Sequence, residues 1–136
     1  EAIGVGRDAL HRAAQYAKDR VVFGRPIGQN QGIQHPLAEA WTFLESAYWM
    51  CLRAGFLYDN ALPCGAEANA AKFLAGRASF DACTKAVLTH GGMGYAREYQ
   101  VERLFRESIL TRIAPISEQM VLNYIAERVL GLPKSY

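Results

Sequence analysis

The chain has 136 residues, 51% hydrophobic and 21% charged, with a formal net charge of +2; this balance excludes a disordered polymer and suits one domain able to bury a core. So small a charge, spread over scattered Lys and Arg, excludes nucleic acid or an anionic membrane as the main partner. Three cysteines, Cys51, Cys64 and Cys83, without a C-x-x-C pair indicate neither a disulfide framework nor a zinc site.

No run is apolar enough to span a bilayer, because Arg53 interrupts the richest stretch. A soluble protein of a reducing cytoplasm is expected. Glu1 opens directly onto a helical pattern, without an initiator Met or a signal peptide, so the chain reads as part of a longer protein.

From Glu1 to about Val21, Ile3, Gly6, Leu10, Ala13, Ala17 and Val21 recur at helical spacing and form one narrow stripe. Arg7, Arg12, Lys18 and Asp19 fall off it, and His11 reads as a surface residue. The next stretch is Arg20-Val21-Val22-Phe23-Gly24-Arg25-Pro26-Ile27, followed by Gln29, Asn30 and Gln31. Punctuation between helices accounts for Gly24 and Pro26. It does not ask for Arg, Phe and Gln together, which across a turn offer a guanidinium for phosphate, a ring for stacking and an amide for a base edge.

The longest pattern follows, with Leu37, Trp41, Leu44, Tyr48, Cys51, Gly55 and Tyr58 spaced by threes and fours. Pro36 either sits in its first turn or kinks a helix that began near Asn30. Trp41, Phe43, Tyr48, Trp49, Phe56 and Tyr58 read as core and interface filler rather than a cofactor box. Asn60 to Gly65 is a short turn, and an antiparallel helix then runs from about Ala66 to Thr89 with Phe73, Leu74, Ala78, Ala82 and Val87 inward. His90-Gly91-Gly92-Met93-Gly94-Tyr95 breaks it. One glycine serves a C-cap; further ones let a backbone approach a flat or phosphorylated ligand.

An amphipathic segment from about Arg97 to Leu110 carries Val101, Leu104, Phe105 and Ile109 on its apolar side, and 113–117 is a second break, where Pro115 suits the first turn of a helix. The last helix runs from near Ser117 to Val129 or Leu130 and is ended by Gly131 and Pro133. With no strand alternation and no internal repeat, the fold class is all-α, an up-and-down bundle of four main helices plus a short one. There is no G-x-S-x-G, no H-E-x-x-H, no P-loop and no histidine pair at ligand spacing among His11, His35 and His90, so neither self-contained hydrolysis nor a metal site is expected.

The Arg-x-x-Phe-Gly-x-Pro-Ile turn at 20–27 with the downstream Gln31, the Gly-Gly-x-Gly-Tyr turn at 91–95, and the helix lengths resemble the C-terminal helical domain of flavin-dependent acyl-CoA dehydrogenases and oxidases, over essentially the whole chain. The resemblance implies that residues 1–136 are a single helical domain of a longer flavoenzyme whose N-terminal helical and middle β domains lie outside this sequence. That enzyme would perform α,β-dehydrogenation of acyl-CoA thioesters in fatty acid metabolism, with FAD as cofactor and an electron-transfer acceptor as partner. It would be a homodimer or homotetramer, cytoplasmic or, in a eukaryote, of the mitochondrial matrix. In the family the first turn reaches the FAD of a neighbouring subunit: Arg20 would meet the pyrophosphate, Phe23 would pack on the cofactor, Gln31 would contact the adenine end, and His90, Gly91 and Gly92 would pass close by. Ser117 and Gln119, at a helix N-terminus beside the cofactor, either cap the helix or donate to FAD.

Two departures matter. Leu88 stands where many members have Gln, and Arg112-Ile113-Ala114-Pro115-Ile116-Ser117 stands where many read Arg-Ile-Tyr-Glu-Gly-Thr. An ungapped match therefore puts Pro115 at the position of the catalytic Glu, where it supplies neither a base nor an N–H. No catalytic residue is assigned in this chain. Either the base lies upstream of residue 1, as in members that carry it on the first bundle helix, or the flavin chemistry differs, or the loop is shifted by a residue. Two other readings stand beside this one: a helical self-association module with no flavin requirement, and a domain of a related flavin monooxygenase or oxidase. The isolated domain is expected to be inactive.

Overall fold

The structure is a computed structural model and describes residues 1–135. Its elements are α1 (Ala2–Asp19), β1 (Val21–Val22), β2 (Arg25–Pro26), α2 (Gln31–Asp59), α3 (Gly65–His90), α4 (Val101–Ile113) and α5 (Glu118–Tyr124). Side-chain pairs fix their directions. Arg7 on α1 meets Glu45 on α2. Lys85–Glu39 at 2.6 Å and Arg53–Glu67 at 3.2 Å lace α2 to α3 in opposite directions. Lys72 on α3 donates to the Thr111 carbonyl, and the Phe80 and Phe105 rings lie 5.5 Å apart, so α4 descends along α3. Glu118 then meets Arg77, and Tyr124 abuts Gly65, so α5 continues in the direction of α4 as a broken fourth rod. The up-and-down all-α bundle is as expected.

α3 is the axle because small residues surround it: Ala71, Ala75, Gly76, Ala78, Ser79, Ala82, Cys83 and Ala86 are all buried. Small side chains let neighbouring helices approach closely and interlock. A Cβ on Gly6 of α1 would lie 2.7 Å from Leu44 Cδ2 and 3.0 Å from Ser79 Cα. Two contiguous cores result, one around Ala9, Ala13, Cys83, Ala86, Val101 and Leu104, the other around Ala40, Leu44, Ala47, Ala75, Ala78 and Ala82.

Several sequence expectations are corrected. On α1 the buried positions are Gly6, Ala9, Ala13 and Ala17; Ile3 and Leu10 flank them half-buried, and Val21 has left the helix and is exposed. Phe73, Leu74 and Val87 on α3 are likewise only half-buried. Strands do occur: β1 and β2 pair antiparallel, Val21 with Pro26 and Val22 with Arg25. Of the two alternatives for Pro36, the helix that begins near Asn30 is the one found: α2 starts at Gln31 and Pro36 lies inside it, past its first turn. Trp41, Phe43, Trp49, Phe56 and Tyr58 are exposed rather than part of this chain's core. α4 begins at Val101, after two 3₁₀ turns at Gly91–Tyr95 and Arg97–Tyr99. α5 begins at Glu118 and passes into a π-helical turn at Ile125–Val129, so Pro115 lies in the loop before the helix and not in its first turn. Among the described residues no helix is long and apolar enough to cross a membrane.

Candidate functional site

α1 and α3 run parallel and finish at the same end of the bundle, where Tyr16 stacks on His90. The chain leaving α1 folds back at once. Arg20 N–H donates to the Tyr16 carbonyl at 2.8 Å, and Ile27 N–H returns to the Arg20 carbonyl at 2.9 Å. Gly28 packs so tightly that a Cβ there would sit 2.9 Å from the Ala17 carbonyl oxygen. Between these anchors the β1–β2 hairpin turns through Phe23 at φ 52° and Gly24 at φ 77°. Two consecutive positive φ values make a type I′ turn, whose twist suits a two-residue hairpin. Glycine tolerates that backbone; a bulky aromatic does so only under strain. The Phe23 ring is nevertheless fully exposed. Among the described residues nothing packs on the ring to compensate the strain.

Beside the hairpin lies an open groove of about 340 Å³. Arg20, Val22 and Ile27 form one wall; Leu88, Gly91, Gly92 and Met93 form the other; Tyr16, Thr89 and His90 close the space between them. Among the described residues Arg20 is the sole cation on this surface and no carboxylate lines it. Among the described residues the Arg20 guanidinium has no hydrogen-bond or ion-pair partner, whereas Arg25 donates to Asn30 Oδ1 at 2.8 Å. An unpaired guanidinium in a groove free of acidic groups is an anion seat.

The glycines opposite serve three different needs. Gly91, at φ 60° and ψ −134°, occupies backbone space that only glycine enters readily. Gly94 is buried against Val87, whose Cα would be 3.0 Å from a Cβ. Gly92 has no positive φ, and a Cβ there would meet nothing within 4 Å. The fold does not require a glycine at 92, and its open face is the groove.

His90 lines the groove yet is 4% exposed. Its ring lies 4.2 Å from that of Tyr16 at 27° and 5.4 Å from Tyr99, and Nδ1 is 2.8 Å from the Ala86 carbonyl. A carbonyl only accepts, so Nδ1 carries a proton. Burial holds the imidazole pKa below its ordinary value, with the Ala86 bond opposing, which keeps the ring neutral.

The other expected contacts lie outside this groove. Phe23 and Gln31 are exposed and do not line it. Ser117 Oγ accepts from Met120 N–H at 3.4 Å and caps α5. Gln119 lines a separate cavity of about 280 Å³ with Phe80, Ile109, Arg112, Ile113 and Glu118. Glu118 is held there by Arg112, with bonds of 2.7 and 3.0 Å, and by Arg77 at 3.5 Å. The Arg112 bond, partly opposed by burial, keeps its carboxyl below the usual range. A carboxylate so paired is a poor proton acceptor. Sequence reading missed Tyr16, Val22, Ile27, Thr89 and Met93; Tyr16 had a signal, since it lies one helical turn before Arg20, on the same face.

Residues 1–130 match the family model described as acyl-CoA dehydrogenase, C-terminal domain. The acyl-CoA dehydrogenase FadE12 of Mycobacterium tuberculosis (strain ATCC 25618 / H37Rv) is 47% identical over 137 residues, covering 99% of this chain and 35% of that protein. Among solved structures, butyryl-CoA dehydrogenase from Megasphaera elsdenii superposes with a TM-score of 0.92 at 31% identity, over 95% of this chain and 34% of the other. The FAD complex of PigA gives a TM-score of 0.92 at 27% identity, over 96% and 34%. The chain thus spans about a third of the length of these relatives.

Proposed function

The chain belongs to the acyl-CoA dehydrogenase family, as its C-terminal helical domain, and from that premise we propose that it completes an FAD site at a subunit interface of an enzyme that dehydrogenates acyl-CoA thioesters at the α,β carbons. The observation that carries this is the pairing, across one groove, of the unpartnered Arg20 guanidinium with Gly92, a glycine its own fold does not need. Arg20 holds the pyrophosphate. The backbone of Gly91 and Gly92 passes along the same cofactor, and Gln31 meets its adenine end.

Phe23, strained and bare in the single chain, packs on the cofactor of the adjoining subunit. A homodimer or homotetramer follows, since a turn serving a neighbour's cofactor has no use in a monomer. The exposed Trp41, Phe43, Trp49 and Phe56 on α2 supply apolar area for such assembly. Ser117 and Gln119 stay candidate contacts near the last helix, Ser117 through whatever hydroxyl capacity its cap leaves free.

FAD, when bound, accepts the hydride from the β-carbon; this chain orients the cofactor and supplies no base. Pro115 stands at the family's Glu position, and Glu118 is neutralised by Arg112 and Arg77. No residue of this chain is assigned as the proton acceptor. Electrons leave to a separate electron-transfer acceptor, and the enzyme works in the cytoplasm.

The test uses full-length protein. It should purify yellow, lose flavin on Arg20→Ala by about tenfold or more in Kd, as expected for a charged partner of phosphate, and bleach anaerobically with acyl-CoA thioesters. A colourless protein that ignores both added FAD and the Arg20 substitution would leave only a helical self-association module. A yellow protein that no acyl-CoA bleaches would point to monooxygenase or oxidase chemistry.

A further inference from the structure

The Tyr16–His90–Tyr99 ring cluster has no role in the function proposed above. His90 is the last residue of α3 and directly precedes Gly91, where the backbone turns through φ 60°. Its imidazole lies 4.2 Å from Tyr16 on α1 and 5.4 Å from Tyr99 in the turn before α4, and those two tyrosine rings are themselves 5.5 Å apart. Three elements thus meet on one side chain. Two of them, the end of α1 and the end of α3, carry the walls of the Arg20 groove.

With 4% of its surface exposed, His90 offers a ligand almost nothing, and its Nδ1–H is already donated to the Ala86 carbonyl. Tyr16 and His90, which line the groove, also line a second cavity of about 420 Å³ together with Tyr99 and Glu98. The rings therefore act as a partition. The Gly91–Tyr95 turn itself faces the groove through Gly91, Gly92 and Met93, and of its residues only Gly94 is buried.

We propose that His90 is a positioning residue rather than a cofactor contact: gripped as a flat ring between Tyr16 and Tyr99, it holds the Gly91–Tyr95 turn against the end of α1 and so sets the shape of the groove. The ligand arm of the test rests on the FAD reading; the structural arm does not. Stacked and edge-on aromatic pairs contribute to stability beyond their buried area, and losing them raises local opening without unfolding the domain.

Two substitutions separate the ring from its nitrogen. His90→Phe keeps the ring and removes the donor; His90→Asn keeps a donor near the Ala86 carbonyl and removes the ring. Hydrogen exchange of peptides covering 88–95 is measured by mass spectrometry on flavin-stripped full-length protein, and FAD affinity by titration of the same samples. His90→Phe is expected to stay within about threefold of the parent in both readouts, and His90→Asn to speed exchange and weaken FAD by about tenfold each. Unchanged exchange in His90→Asn overturns the proposal. So does a tenfold loss of FAD by His90→Phe with exchange unaltered, which would make the ring nitrogen a direct contact. If the parent protein takes up no FAD, the functional reading falls by itself, and the exchange comparison still decides the role of His90.

Discussion

Gly92 and Gly94, two residues apart in one turn, give opposite expectations for the same added methyl group. At Gly94 a Cβ would press on the Val87 backbone, with Cα at 3.0 Å. Backbone of a helix cannot give way as a side chain does, so Gly94→Ala should cost about 1–3 kcal/mol of folding stability, the usual range for overpacking. At Gly92 the same carbon meets nothing within 4 Å and φ is not positive. Gly92→Ala should therefore leave stability unchanged or raise it by roughly 0.4–1 kcal/mol through the unfolded chain.

Its effect belongs to the ligand. A cofactor lying on that backbone meets the methyl as overpacking, and the same loss of about 1–3 kcal/mol becomes roughly a fivefold to 150-fold rise in Kd. The assay is thermal unfolding of the flavin-stripped full-length variants beside their titration with FAD, followed by flavin fluorescence. If Gly92→Ala binds FAD like the parent, the glycine turn does not touch the cofactor. If it melts markedly lower, the space attributed to the groove is not there.

Phe23→Asn places the residue preferred at the first position of a type I′ turn where a phenylalanine now sits at φ 52°; stability should rise by about 1 kcal/mol while FAD affinity and subunit association fall, checked by thermal unfolding and sedimentation. Glu118→Gln breaks the Arg112 pair, in which Glu118 is 11% and Arg112 33% exposed, and should remove about 1 kcal/mol at neutral pH. Because the folded carboxyl titrates below its ordinary value, the parent holds this contribution above the unfolded pKa and loses it as pH falls through the folded one. Denaturation at a series of acidic pH values should accordingly show the gap between parent and variant closing. Burial pushes the Cys83 thiol up to about 11, so maleimide should label it only after unfolding, as peptide mass mapping would reveal; labelling of the native protein at neutral pH would contradict its burial.

The long helices were legible because periodicity over many turns outweighs any local ambiguity. The stripe of α1 is right at Gly6, Ala13 and Ala17 and misses only Ala9. Ala9 carries little hydrophobic signal, yet it is buried with them where helices press close, while the bulkier Ile3 and Leu10 lie half-buried on the flank. The hairpin escaped notice because two-residue strands give no alternation to read, and its turn places Phe where the usual sequence has Asn or Gly. Arg20 and the glycine pair do share a groove, since each ends a helix of the same parallel pair. The burial of His90 was not legible, because it is decided by Tyr16 and Tyr99, 74 positions upstream and nine downstream, and no local pattern announces that. Glu118 carried no sign of its pairing, for Arg112 is brought to it by the loop at 114–117 and Arg77 comes from another rod.

The axle of small residues along α3 has a mechanical corollary. α1 rests on it through Ala9 and Ala13 against Cys83 and Ala86, and both helices end at the groove. The two form the arms of a caliper, and those side chains are its spacer. One methylene added at Ala13 or Ala86, neither of which lines the groove, would part the jaws and loosen whatever they measure. Surveys of variants that avoid the groove should therefore still find cofactor-deficient proteins, clustered on the hidden seam between these two helices.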